Sequence, residues 1–353
     1  MKKQRYEQLD SLRGIAAVSV MIFHIMTVSG LYTTYGAFIF LTPLFLLMSG
    51  RAAVIFFFLL SGFVLATMYE GQRAPTYLNF ISRRFIRLYI PYISALILSV
   101  LMHIAVHQTP FLTKPLVLGH LFMIGIFNTQ TMDPVVWSLG QEMRISLIFP
   151  LLIYGLHKLK IKRMMWTVSF LAFAGIEMHA MNPEVNFYVN IYDTLLYIWI
   201  FVLGAALADR RDELIVWYRK ITFSLKWYLA LVTLFIYGWA NVLLANDMGL
   251  FGYLFSYVFI ALAAAYFIIA ALGSERIKRI LLLRPFQFLG RISYSLYLVH
   301  FLVFVAVFAW LKTLPLIGNG IITIIVSLLV SALFFRVIES PSIRWSRWIG
   351  KYF

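Results

Sequence analysis

The stretch Leu9–His24, LDSLRGIAAVSVMIFH, opens an apolar run of helical length, yet it carries an arginine near its start and a histidine deep inside. Arg13 and His24 are eleven residues apart. At about 100° and 1.5 Å per residue they fall on nearly the same helix face, roughly 16 Å apart along the axis. Ala17 and Val20 lie between them on that face. A narrow groove with a cation at one end and an imidazole at the other is a place for chemistry.

The remainder of the chain turns this run into one span among many. The 353 residues are 62% hydrophobic and 12% charged, with a mean hydropathy of +0.87. That composition excludes a soluble globular domain. Apolar runs of roughly 17–25 residues recur from end to end, as bilayer-spanning helices require, and no long polar segment offers a second, soluble domain. The chain therefore reads as one membrane domain over 1–353 with no fused soluble domain. The absence of Cys excludes disulfides, thiolate catalysis and Cys-ligated zinc.

The net charge of +16 invites a nucleic-acid reading, which the distribution of the basic residues removes. All of the 30 Lys and Arg except Arg51, Lys114, Arg144 and Lys312 fall in short segments that alternate with pairs of apolar runs. This is the pattern by which membrane topology is set. The fold class predicted is an all-α integral membrane protein of about ten transmembrane helices, with both termini cytoplasmic. The spans run over about 11–29, 52–69, 91–106, 137–156, 164–181, 190–208, 226–245, 251–272, 288–311 and 319–337. A basic amphipathic cytoplasmic linker, QRAPTYLNFISRRFIRLYIPY (72–92), follows the second span. Residues 31–51 read as outer loop or re-entrant structure, and 107–136 as outer surface with a short interfacial helix. The partner implied by composition is the lipid bilayer, not nucleic acid, and oligomeric state has no signal in the sequence.

Several polar residues stand out against this background. His24 lies near mid-bilayer if Arg13 marks the inner boundary, and an ionisable group at that depth usually faces a cavity or a partner. A neutral imidazole there is a good general base; the alternative is a histidine that only hydrogen-bonds between helices. His300 lies nine residues after Arg291, at a depth expected to match His24, and Ser293, Tyr297 and His300 share one helix face. The fourth span carries Glu142, Arg144 and Pro150. Glu142 is a candidate to bind an acceptor or to pair with Arg144 or Arg51. Arg83, Arg84 and Arg87, in the linker that also holds Arg73, offer planar forks suited to phosphates, or equally to lipid headgroups. Six acidic residues, Asp133, Glu142, Glu177, Glu184, Asp193 and Asp247, fall at or near the outer face, where they suit sugar hydroxyls or a solvated surface. No G-x-x-x-x-G-K-[ST], G-x-S-x-G or H-E-x-x-H occurs, which argues against nucleotide hydrolysis, a serine-hydrolase elbow and a zincin.

Five stretches in order, LDSLRGIAAVSVMIFH, FFFLLSGFVL, RRFIRLYIPY, WSLGQE followed by FPLL, and GRISYSLYLVH, resemble acyltransferase family 3, the integral-membrane acyltransferases of bacterial surface sugars and other acceptors. The resemblance runs from residue 9 to about 341. It implies that Arg13 and His24 are the family's essential pair for acyl transfer and that Arg84 and Arg87 match its cytoplasmic R-x-x-R. Phe149 and Pro150 match its fourth-span Phe-Pro. The family's WSLSVEEQFY is only partly kept, with Met143, Arg144 and Ser146 in place of Glu, Gln and Tyr. Arg51 stands near where the family usually has a small residue.

The function this implies is an O-acyltransferase of the cytoplasmic (inner) membrane, moving an acetyl or short acyl group from acetyl-CoA to a hydroxyl of a cell-envelope carbohydrate or glycoside. Arg13, Arg83, Arg84, Arg87 and Tyr297 would bind the donor; His24, Arg13, Glu142 and His300 would carry the chemistry, with no metal. The competing class is a transporter or flippase of a glycolipid or polyol, with His24 and Glu142 as a proton relay. The missing internal repeat stands against it.

Overall fold

The computed structural model describes residues 6–70, 74–106, 113–123, 132–159, 161–181, 191–245 and 249–352. Among them every regular element is a helix and no strand occurs. A helix lies over each of the ten runs expected to span. Eight are long and apolar enough to cross a membrane, two short of ten: Gly50–Ala66 is apolar but has 17 residues, and Ile161–Ala180 carries Lys162, Arg163 and Glu177. The protein is an all-α integral membrane protein.

The helices form two compact units, residues 1–67 with 203–294 and residues 68–202 with 295–353. The first unit holds α1 (Glu7–Val28), α2 (Leu31–Phe40), α3 (Gly50–Ala66), α9 (Arg211–Lys220), α10 (Phe223–Ala245), α11 (Gly249–Gly273) and α12 (Glu275–Leu281). It also takes the end of α8 (Ile191–Asp209) and the start of α13 (Arg284–Trp310). Residues 31–51 contain the ten-residue α2, too short to cross, and a 3-10 turn over Pro43–Met48. Where lipid surrounds a helix, apolar surface alone gives no drive to associate, so close backbone approach and internal hydrogen bonds must do so. At the start of α1 both are present. A Cβ on Gly14 would lie 2.4 Å from the Leu289 carbonyl carbon, and one on Gly290 would lie 2.6 Å from the Asp10 backbone, so neither position admits a side chain without separating α1 from α13. Ser11 Oγ donates to the Leu281 carbonyl at 2.6 Å, closing α1 onto the end of α12.

The second unit holds α4 (Tyr77–Ala105), α5 (Lys114–Phe122), α6 (Trp137–Lys158), α7 (Ile161–Ala180), α14 (Leu316–Phe334) and α15 (Ser340–Ile349), with the remaining parts of α8 and α13. The short α5 occupies part of the stretch expected to carry an interfacial helix; 107–112 and 124–131 lie outside the described residues. Thr76 caps α4 by accepting from Asn79 N–H, and Asn79 Nδ2 donates to the Gly350 carbonyl, tying the linker to α15. One π-helical turn, Phe335–Glu339, joins α14 to α15. Its Glu339 is buried, and one carboxylate oxygen accepts from both N–H and Oγ of Ser295 at 3.1 and 2.5 Å. Large apolar side chains such as Phe170, Leu329 and Leu333 are more than 60% exposed, as a lipid-facing surface requires.

Candidate functional site

In the first unit, α1 carries Arg13 and His24. Arg13 Nη1 donates to Asp10 Oδ1 at 3.3 Å, one helical turn back, so the expected cation at the head of the helix is charge-paired locally. The face between Arg13 and His24 is not an open groove. Ala17 and Val20 are 0% and 2% exposed, packed rather than lining a channel. The open space lies at the other end. His24 is half-buried, and its ring meets Phe23 edge-on with centroids 5.4 Å apart. Phe23 in turn walls a cavity of about 230 Å³ also lined by Thr27, Tyr32, Phe45, Arg51 and Asn241. A Cβ on Gly50 would lie 2.6 Å from the Phe23 ring, so Gly50 is what lets Phe23 sit in this wall. Ser49 Oγ donates to the Gly238 carbonyl at 3.1 Å and holds the head of α3 to α10. The Arg51 guanidinium stacks over Tyr253 and Tyr257, 5.2 and 5.9 Å from their ring centres.

In the second unit, α4 and α6 are joined through a charged knot. Arg84 Nη2 is ion-paired with Glu142, Arg84 Nε donates to Ser146 Oγ at 3.0 Å, and Ser146 Oγ donates to the Glu142 carbonyl at 2.6 Å. Glu142 thus pairs with Arg84, one of the arginines whose forks suit phosphates. Arg144 is buried and donates to Thr194 Oγ1 at 3.2 Å, while Thr194 donates to Gln141 Oε1 at 2.6 Å. Arg83 and Arg87 remain on the linker end of α4. The Arg83 stem packs on Gly350, and its charge feels both Arg87 and Arg347 of α15. Arg347 was not singled out in the sequence; only the fold brings it beside Arg83. Arg73 lies outside the described residues.

Tyr297 and His300 sit on α13, both at most 5% exposed. The Tyr297 hydroxyl donates to the Val135 carbonyl at 3.0 Å and receives Ser138 Oγ at 2.8 Å, so it positions the head of α6. His300 Nδ1 donates to the Leu296 carbonyl of its own helix at 2.8 Å, which fixes the tautomer and leaves Nε2 as the acceptor nitrogen. Ser293 Oγ bonds back to the Gly290 carbonyl. His24 and His300 belong to different units.

Of the outer acidic residues, Asp133 and Asp193 are buried at 0% and 3% exposure, which removes them from a solvated surface. Asp133 accepts from Val135 N–H just ahead of α6, and burial pushes its carboxyl up to about 8. Glu177 is half-buried, and Glu184 and Asp247 lie outside the described residues. Among the described residues no group of three or more His, Cys, Asp or Glu is arranged to hold a metal.

With this geometry in hand, the sequence matches the family described as an acyltransferase domain, acyltransferase 3, over residues 6–336. The chain belongs to the acyltransferase 3 family. It is also similar to the O-acetyltransferase OatA of Staphylococcus aureus, in strains NCTC 8325 / PS 47 and COL, at 25% identity over an alignment of 372 positions. The match covers 94% of this chain and 56% of the relative, so the chain spans a little over half the length of the curated relatives it matches. No solved structure matches.

In this acyltransferase 3 member, α6 carries a polar network of its own. Arg144 and Gln141 bond through Thr194, and Ser146 serves Arg84 and the Glu142 carbonyl. These side chains tie α6 to α4 and to α8.

Proposed function

We propose that this protein is a membrane O-acyltransferase that moves an acetyl or short acyl group from acetyl-CoA at the cytoplasmic face to a hydroxyl of a cell-envelope carbohydrate or glycoside. The observation that carries the reading is the placement of His24, whose ring lies against the wall of a cavity with a polar lining. Family membership and the likeness to an O-acetyltransferase support it. The acceptor hydroxyl gives its proton to the His24 imidazole as its oxygen attacks the thioester carbonyl. The C–S bond breaks, and the thiolate of CoA leaves with that proton. The alternative order acylates the imidazole first, with the acceptor then taking the acyl group from it. Donor phosphates dock on the arginines of the linker end of α4, Arg83, Arg84 and Arg87, with Arg347 of α15 beside Arg83. Tyr297 and His300 act by holding α6 and α13 in place.

The transporter reading loses half of its relay, since Glu142 is ion-paired to Arg84. The test is transfer of labelled acetyl from acetyl-CoA by the purified protein and by His24→Ala. Transfer should fall at least a hundredfold in the variant, and Arg87→Ala should raise the KM for acetyl-CoA several-fold. Full activity in His24→Ala would sink the mechanism.

A further inference from the structure

The cavity beside Phe23 has a composition that a neutral sugar pocket does not need. Among the described residues its lining combines aromatic surface from Tyr32 and Phe45, hydroxyls from Thr27 and Ser49, the amide of Asn241 and the cation Arg51, with no carboxylate. The volume of about 230 Å³ falls below the roughly 300–1,000 Å³ of pockets for drug-sized ligands, and it suits a single ring. Asn241 Oδ1 is buried without a hydrogen-bond partner, which is a costly state for an amide oxygen and marks the place for a donor such as a ligand hydroxyl. The Arg51 guanidinium carbon lies over the rings of Tyr253 and Tyr257, 5.2 and 5.9 Å from their centres, which places the cation at the cavity wall. A guanidinium carries five donors in a planar fork, more than one partner takes up, so Arg51 can keep other contacts and still meet an incoming carboxylate.

We propose that this cavity is a subsite for an anionic acceptor, a glycoside bearing a carboxylate, with Arg51 binding the carboxylate and Asn241 Oδ1 accepting from a ring hydroxyl. Its role as an acceptor subsite rests on the acyltransferase reading; its preference for a carboxylate does not. The Phe23 ring, which lines the site, lies 5.4 Å from the His24 ring between centroids, so a single side chain separates a seated acceptor from the imidazole. Arg51 is then the residue that sets acceptor specificity in this chain.

The test is binding by isothermal titration to the purified full chain in detergent, without acyl-CoA, using methyl β-glucuronide and methyl β-glucoside as probes. They differ in a carboxylate at one carbon. A charge-assisted bidentate contact is worth roughly 1.5–3 kcal/mol, so the glucuronide should bind about ten- to a hundredfold more tightly. Arg51→Gln should bring the ratio of affinities toward one. Asn241→Asp, which sets a carboxylate in the lining at constant size, should weaken the glucuronide at least tenfold and serves as the second variant if Arg51→Gln fails to fold. Equal affinities, tighter binding of the glucoside, binding of neither, or a preference that survives both variants would overturn the proposal. The expected preference with no acetyl transfer from acetyl-CoA to either glycoside would overturn the acyltransferase reading and leave the subsite standing.

Discussion

At the scale of single residues, the structure reassigns charges whose partners the sequence could not show. Arg84 and Glu142 are 58 positions apart on different helices, and no spacing rule links them. Arg84 turns to Glu142, whereas Arg87, three positions on, is exposed. Both members of the pair are mostly buried, so removing one strands the other's charge. Arg84→Ala and Glu142→Ala should each lower the melting temperature in detergent, and the double variant should lose less than the sum, with a coupling of about 0.5–3 kcal/mol. Strict additivity would deny the pair. Asp133 is a second case. Its folded pKa of about 8 stands above the ordinary value near 4. An acid raised in this way supports the folded state fully only below its unfolded pKa, and that contribution is lost as pH rises through about 8. Asp133→Asn should therefore gain on the wild type in melting temperature between pH 5 and pH 8; a constant difference would show that the carboxyl is already ionised.

At the scale of helices, the apolar runs located a helix at each expected span, eight of them long and apolar enough to cross a membrane, because hydropathy over about 20 residues is a bulk property that a sequence displays directly. The contacts between helices were less legible. Gly14 and Gly290 look like any other small residues in an apolar run, and only the backbone approach of Asp10, Leu289 and Gly290 reveals their role. Gly290→Ala should cost about 1–3 kcal/mol by overpacking, and acyl transfer should fall with it, since α1 carries His24. Gly318 is the control: nothing lies within 4 Å of a Cβ built there. Gly318→Ala should leave the melting temperature unchanged or slightly raised. Similar losses at both glycines would show that helix propensity, not the α1–α13 contact, decides the result. The candidate site follows the same division. His24 was legible as a polar residue out of place in a span, whereas the cavity beside it was not, because its lining comes from four separate segments.

At the scale of the whole molecule, the orientation inferred from the basic segments is open to a direct measurement that the absence of Cys makes clean. Single-cysteine variants Lys220→Cys and Lys312→Cys, both at exposed positions, should differ in intact cells. A membrane-impermeant maleimide should label the second and spare the first; the reverse result would invert the topology. The order of the chain adds a constraint in time. The first unit is assembled from residues 1–67 and 203–294, and the bond from Ser11 to Leu281 closes a separation of 270 positions. At about 5–20 residues per second, α1 emerges from the ribosome roughly 15–50 s before α12 and α13 exist to receive it. Through that interval a helix bearing Arg13 and His24 must be sheltered without its final neighbours. Biogenesis of this protein should therefore depend on the machinery that shields polar nascent helices in the bilayer far more than the mean hydropathy of its chain would indicate.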